Sequence, residues 1–278
     1  MKNPSSPYNP QRVEPLFAFA ALSLGAIIGS FLNVVIHRYP RDESIVFPPS
    51  HCPHCNAVIK SYDNVPVLSY LWLRGRCRSC AGPISIRYPL VELANALFYL
   101  AIFQRTGLSW VFIPVAAIVS MLIALIYIDA EIQILPDVID IPGVAVGLII
   151  GAMAGGALHP DLILSRSLID SFIGAGIGSG ILLAVALAYK LVRHVEGMGL
   201  GDVKMMAMLG ATLGWEPLPG LLVIASVTGA IVGLIVAARS PKGLRVAIPF
   251  GVFLGISTLI VMFFGPVLWE QYLALFAP

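Results

Sequence analysis

The sequence predicts an all-α polytopic membrane protein with about eight transmembrane helices and one small, zinc-ribbon-like tetracysteine loop. Three observations carry that expectation. Hydrophobic residues make up 58% of the chain and charged residues only 12%, whereas soluble domains run nearer half apolar and a quarter charged. Folded in water, such a chain would leave a large apolar surface uncovered. The apolar residues fall into runs near the ~20 residues that a helix needs to cross a hydrocarbon core about 30 Å thick. The four cysteines all lie in one polar segment, as two C-x-x-C pairs.

The runs place spans at roughly 15–36, 89–104, 108–128, 138–157, 168–189, 218–238 and 248–270. An eighth segment, 203–214 ("VKMMAMLGATLG"), is too short to cross untilted. It is read either as a thin span or as a helix buried in protein at membrane depth. The first run is longer than the apolar core of a signal peptide and lacks a small-x-small cleavage site, so it is taken as a retained helix. Three regions follow: 1–36, the N-terminal tail and first helix; 37–88, the polar loop; and 89–278, the membrane domain.

Charge sets the orientation. With the 37–88 loop in the cytoplasm and the short segment crossing, Arg38, Arg41, Lys60, Arg74, Arg76, Arg78, Arg87, Lys190, Arg193, Lys204, Arg239, Lys242 and Arg245 fall inside. Lys2, Arg12, Arg105 and Arg166 fall outside. That bias matches the positive-inside rule and favours eight crossings over seven. The loop is thus expected on the cytoplasmic side of a membrane, with the lipid bilayer as one partner. A net charge of +2 and the lack of a basic, aromatic-interleaved face argue against a nucleic-acid partner.

The loop reads "HCPHCNAVIKSYDNVPVLSYLWLRGRCRSCAG". Cys52 and Cys55 form one knuckle, Cys77 and Cys80 the other, and four thiolates make a closed tetrahedral zinc site. The spacer is slightly longer than usual, which a loop insertion accommodates. Cytosolic thiols stay reduced, so disulfides are the weaker reading. A closed site has no position for water, so the metal is structural and stabilises a loop with a thin core. His51 and His54 are read as solvent-facing.

"GAGIGSG" at 174–180 lies inside an apolar span with no strand before it, so it is no nucleotide loop. Gly174/Gly178 and Gly176/Gly180 are small-xxx-small pairs suited to close helix packing.

Acids at membrane depth are functional candidates. They gather in "YIDAEIQILPD", with Asp129, Glu131 and Asp137 followed by Asp140, and in "VEGMGLGD", with Glu196 and Asp202. Two spans separate Asp129 from Asp202, and an even number of crossings returns the chain to one face. Two carboxylates in reach of each other share a proton. One can then deprotonate a water while the other donates to a carbonyl oxygen, which is peptide hydrolysis of the aspartic-protease kind. Which is base and which is acid stays open. Gly199 and Gly201 would allow close approach of backbone and substrate. Taken singly, Asp202 suits a helix cap, Asp137 a cap or turn, and Lys204 a membrane-edge anchor beside the site. The pairing of Asp129 with Asp202 beside glycine favours chemistry.

"GSFLNVVIHRYP", "SYDNVPVLSYLWLRGRCRSC", "IRYPLVEL", "IDAEIQILPD" and "GMGLGDVK" occur in that order. Together, over about residues 15–205, they resemble the type IV prepilin peptidases, also called prepilin leader peptidase/N-methyltransferases. The resemblance implies an intramembrane-type aspartyl protease of the GxGD kind, with Asp129 and Asp202 as its catalytic pair facing the cytoplasm. It implies type IV prepilins and pseudopilins as substrates, and S-adenosylmethionine as donor for methylating the new N-terminus. It matches the four cysteines to a tetracysteine cytoplasmic domain. Two departures stand out: Glu131 occupies a position where many relatives carry a second aspartate, and Val252 of "IPFGVFLG" one where many carry proline, expected to be harmless.

An ion-coupled transporter is the main alternative from another class, but it needs neither the cysteine knuckles nor the glycine-flanked acid. A serine protease through Ser257 lacks a histidine within a span, and H-E-x-x-H is absent.

Overall fold

Helices form wherever the sequence offers a long apolar run, and glycine decides which of them approach closely. The structure, a computed structural model, describes residues 15–195, 198–241, 243 and 246–274, with side chains to 268. The chain divides into two compact units, Met1–Ala124 and Leu125–Pro278.

The first unit contains α1 (Pro15–Arg38), the short α2 (Leu68–Trp72), α3 (Arg87–Thr106) and the start of α4 (Phe112–Ile132). α1 packs along α3. The contact depends on Gly25 and Gly29, where an added Cβ would lie 2.8 Å from Ala96 Cα and 2.7 Å from Glu92 Cα. Hydrogen bonds satisfy Asn95, a polar side chain buried at this seam. Asn95 Nδ2 donates to the Gly25 carbonyl at 2.7 Å, and Ser120 Oγ donates to Asn95 Oδ1 at 3.0 Å.

The second unit holds the end of α4, then α5 (Asp137–Ala152), α6 (Gly155–Leu158), α7 (Leu168–Arg193), α8 (Leu200–Leu213), α9 (Leu218–Arg239) and α10 (Phe250–Ala274). α7 opens on an N-cap, Ser167, whose hydroxyl accepts the Asp170 N–H at 3.1 Å. α8 packs against α7, α5 and α10. Met205, Met206, Met208 and Leu209 are fully buried in it. This is the ambiguous 203–214 segment. At about 21 Å by helical rise it is shorter than the hydrocarbon core, and protein rather than lipid surrounds it.

Five helices are long and apolar enough to cross a membrane: Pro15–Arg41, Phe112–Ile132, Leu168–Arg193, Leu218–Arg239 and Phe250–Leu268. α3, α5 and α8 occupy the other three expected spans but do not meet that description. α5 and α8 are too short, with 16 and 14 residues. α3 has the length, but Arg87, Glu92 and Arg105 dilute its apolar character. α5 ends at Ala152, earlier than the expected 157, because the chain turns through Ala154 at φ 51°.

The two glycine pairs of α7 behave differently. An added Cβ at Gly178 would lie 2.8 Å from the Met206 carbonyl oxygen, and one at Gly174 would overlap the Gly210 carbonyl. Gly176 and Gly180 meet nothing within 4 Å, so only the first pair makes the expected contact. Gly176→Ala should therefore raise stability slightly, since alanine is the better helix former by up to about 1 kcal/mol. Gly174→Ala should lower it by about 1–3 kcal/mol through overpacking. Thermal unfolding in detergent reads both; equal midpoints would contradict the packing.

Candidate active site and metal centre

In the first unit, the two C-x-x-C segments fold as near copies of each other. The Cys52 N–H donates to the Ala57 carbonyl and the Cys77 N–H to the Gly82 carbonyl, at 3.0 and 2.8 Å. Each knuckle closes with an isolated β-bridge, His51 to Val58 and Arg76 to Pro83. Each also turns through a left-handed residue four positions after its first cysteine, Asn56 and Ala81. The four Sγ atoms lie within 4.8 Å of one another. Cys52 to Cys80 is 3.8 Å and Cys55 to Cys77 is 4.0 Å. A tetrahedral ion with 2.3 Å bonds to sulfur requires sulfurs about 3.8 Å apart, so the donor set fits such a metal. The N–H groups of Cys80 and Ser79 hold the Cys77 thiol down at about 6, whereas the Cys80 thiol, although the Gly82 N–H lowers it, is pushed up to about 11 by the neighbouring thiols, Cys55 foremost. His51 and His54 are exposed and stand outside the cluster, as expected.

Two contacts brace this loop. Arg78 forms an ion pair with Asp63 at 2.6 Å and holds that carboxyl below the usual range. The buried Glu92 of α3 accepts the Val67 N–H at 2.7 Å. Val67 is itself at φ 62°, an unfavourable value for a β-branched residue.

In the second unit, a cleft of about 430 Å³ opens where α4 ends, α8 begins and α10 begins. Asp129, Asp202, Gly199, Gly201 and Lys204 all line it. Asp129 is buried in the last turns of α4, 4% exposed. Its Oδ2 accepts the Val252 N–H at 3.0 Å, and the Gly251 N–H also reaches the carboxyl. Asp202 is half-buried and within electrostatic range of Asp129. It is the third residue of α8, whose N-cap is Gly199, so the expected capping role belongs to the glycine instead.

The glycines divide their work. Nothing approaches an added Cβ on Gly199 closer than 3.9 Å, so its missing side chain leaves the cleft open. An added Cβ on Gly201 would meet Leu135 at 3.0 Å, so its close approach is to the protein. Lys204 reaches both carboxylate oxygens of Asp137 at 2.7 Å. Both residues thus take part in an α5–α8 ion pair, more than the anchor and turn roles read from sequence. Glu131 is exposed and is not among the cleft-lining residues, and Glu196 lies outside the described residues. A second hollow, of about 290 Å³ along α9, has no ionisable lining residue.

Three features escape sequence reasoning. Gln133, at φ 55°, reverses the chain after α4 and donates from Nε2 to the Ala247 carbonyl at 3.0 Å. Asp140 is fully buried, and neither of its oxygens has a hydrogen-bond partner among the described residues. Val252, expected to be a neutral departure, supplies a hydrogen bond to Asp129.

Two family models match the chain: the bacterial peptidase A24 N-terminal domain over residues 23–106, and the type IV leader peptidase family over residues 116–234. A prepilin leader peptidase/N-methyltransferase of Aeromonas hydrophila is 38% identical over 274 residues, covering 90% of this chain and 91% of the relative. One from Burkholderia pseudomallei is 37% identical over 295 residues, covering 94% and 93%. One from Pseudomonas aeruginosa is 36% identical over 280 residues, covering 92% and 93%. No solved structure matches. With relatives of this identity matched over nearly their full lengths, the chain belongs to the prepilin leader peptidase/N-methyltransferase family.

Proposed function

We propose that this protein removes the basic leader from type IV prepilins and pseudopilins, using Asp129 and Asp202 as an aspartate dyad, and then methylates the exposed N-terminus. The observation that carries the proposal is the shared cleft. Two acids from helices far apart in sequence line it together, beside a glycine that leaves room for a peptide.

The chemistry follows from the pair. Two neighbouring carboxyl groups hold one proton between them. The ionised member takes a proton from water, whose oxygen attacks the scissile carbonyl carbon. The protonated member donates to the carbonyl oxygen. Collapse of the tetrahedral intermediate breaks the C–N bond, and the amine leaves with a proton from the dyad.

Eight crossings in a bacterial inner membrane, with α3, α5 and α8 counted among them, would put this cleft and residues 37–88 at the cytoplasmic face. The cluster of Arg38, Arg41, Arg74, Arg76 and Arg78 around the cysteine loop supports that side. Lys2, Arg12, Lys242 and Arg245 lie outside the described residues. The four cysteines would hold one structural zinc ion, which cross-links the two knuckles and takes no part in hydrolysis. S-adenosylmethionine as methyl donor rests on the relatives' names. The test is N-terminal sequencing and mass measurement of a prepilin after incubation with the purified enzyme and S-adenosylmethionine. A shortened pilin about 14 Da heavier than the simple cleavage product is expected if one methyl replaces hydrogen; an intact prepilin would refute the reading.

Lys204→Met separates stability from substrate handling. The half-exposed pair with Asp137 is worth no more than about 1 kcal/mol to the fold. Its loss should leave insertion intact and lower cleavage mainly by removing order from the cleft wall. Cleavage kinetics compared with thermal unfolding read this; a variant that fails to insert would contradict it.

A further inference from the structure

We infer that the Val252 N–H is a positioning donor that makes Asp129 the ionised member of the dyad, the base that activates water, and leaves Asp202 to hold the proton. This deepens the dyad reading and rests on it.

The asymmetry is geometric. Val252 is the third residue of α10, a position whose N–H has no partner within its own helix. It donates instead to Asp129 Oδ2 at 3.0 Å, with Gly251 N–H alongside. Gly251 makes the approach possible, because an added Cβ there would lie 2.8 Å from the same oxygen. Direct N–H donors stabilise the charged form of a carboxyl group. Asp202 also lies in the first turn of its own helix, so proximity to a helix N-terminus does not distinguish the two. The direct donors do: among the described residues, no hydrogen bond reaches the Asp202 carboxyl. The ionisable groups facing Asp129 are Asp202 and Lys204 from α8 and Asp137 and Asp140 from α5. The first turns of α10 carry none.

Proline provides a narrow test. At position 252 it removes one N–H and no side-chain function. The first turn of a helix tolerates it, since that N–H is unpaired within the helix. The preceding residue is Gly251, whose missing Cβ removes much of the clash a proline imposes. In Val252→Pro, the base loses a stabilising donor and keeps its proton to higher pH. The acid limb of the kcat/KM profile for prepilin cleavage should therefore move up by about one pH unit, with the basic limb unmoved and cleavage retained at the plateau.

An unmoved acid limb would overturn the assignment, as would a shift confined to the basic limb, which would make Asp129 the proton holder. Loss of cleavage at every pH would also overturn it, because one donor is then more than a tuning contact. Gly251→Ala supplies a second reading. Its Cβ displaces the Asp129 carboxyl, so kcat should fall with KM little changed, and a fall in kcat/KM carried by KM alone would count against the proposal. The dyad itself is tested separately: cleavage by Asp129→Asn or Asp202→Asn would remove both, while an unmoved Val252→Pro profile removes only the assignment.

Discussion

Asp129→Asn and Asp202→Asn should each lower leader cleavage by about 10³-fold or more, since each removes a general acid or base from the reaction. Asparagine has the shape of aspartate but cannot exchange a proton with water. The fold should not suffer. At position 129 the amide oxygen can still accept the Val252 N–H. At position 202 a neutral amide replaces a carboxyl group that holds the proton of the dyad, so the charge near Asp137 and Asp140 is little changed. Membrane insertion and thermal midpoint should thus hold while activity disappears. The double variant should be no worse than either single one, because groups that act as a unit are not additive. Cleavage within tenfold of wild type by either variant would show that the pair does not perform the chemistry.

Much of this site was legible because its logic is parity and patterning. The even number of crossings expected between "IDAEIQILPD" and "GMGLGDVK" put both aspartates on one face, and both do line one cleft. The cysteine knuckles were legible for a similar reason: C-x-x-C fixes a local turn, and the turn alone points two sulfurs the same way. Contacts of backbone atoms from distant segments were not legible. Nothing in "IPFGVFLG" marks the Val252 N–H as a partner of a residue 123 positions earlier. The Lys204–Asp137 pair was hidden likewise, because each residue has an adequate local explanation as anchor or turn. Span assignment was least legible at α3, α5 and α8, which are not among the five helices long and apolar enough to cross a membrane. Apolar content alone cannot separate a helix bathed in lipid from one such as α8, which is apolar because protein encloses it. The glycines of α7 show the same limit: the i, i+4 spacing of Gly174/Gly178 and Gly176/Gly180 is identical, and only packing reveals which pair faces α8.

The second large effect is expected at the cysteine cluster. Purified protein should carry about one zinc per chain, and Cys52→Ser or Cys77→Ser should reduce that to near zero, because a structural site needs all four ligands. Residues 37–88 have little else to hold them. Within the loop, the described regular structure amounts to two isolated bridges, a pair of single-turn 3₁₀ segments and the five-residue α2. Most of its large apolar side chains, including Phe47, Tyr62, Leu71 and Trp72, are exposed. Structural zinc supplies about 10–16 kcal/mol of apparent binding free energy in small domains of this kind, far more than such a core. The serine variants should therefore lose the loop's fold, seen as new proteolytic nicks confined to 37–88, while the membrane helices stay protected. The ion pair of Arg78 with Asp63 cannot rescue the loop, since it ties residue 78 to one point of the 37–88 segment and its arginine is half-exposed, so its contribution is small beside that of the metal. Because Glu92 binds the loop at Val67, release of the loop should also free that carboxyl from its donor. Glu92→Gln offers the converse: the amide still accepts the Val67 N–H, so metal content should persist. Full metal loss in Glu92→Gln, or an intact loop in metal-free Cys52→Ser, would show that the thiolates are not what holds this part of the chain together.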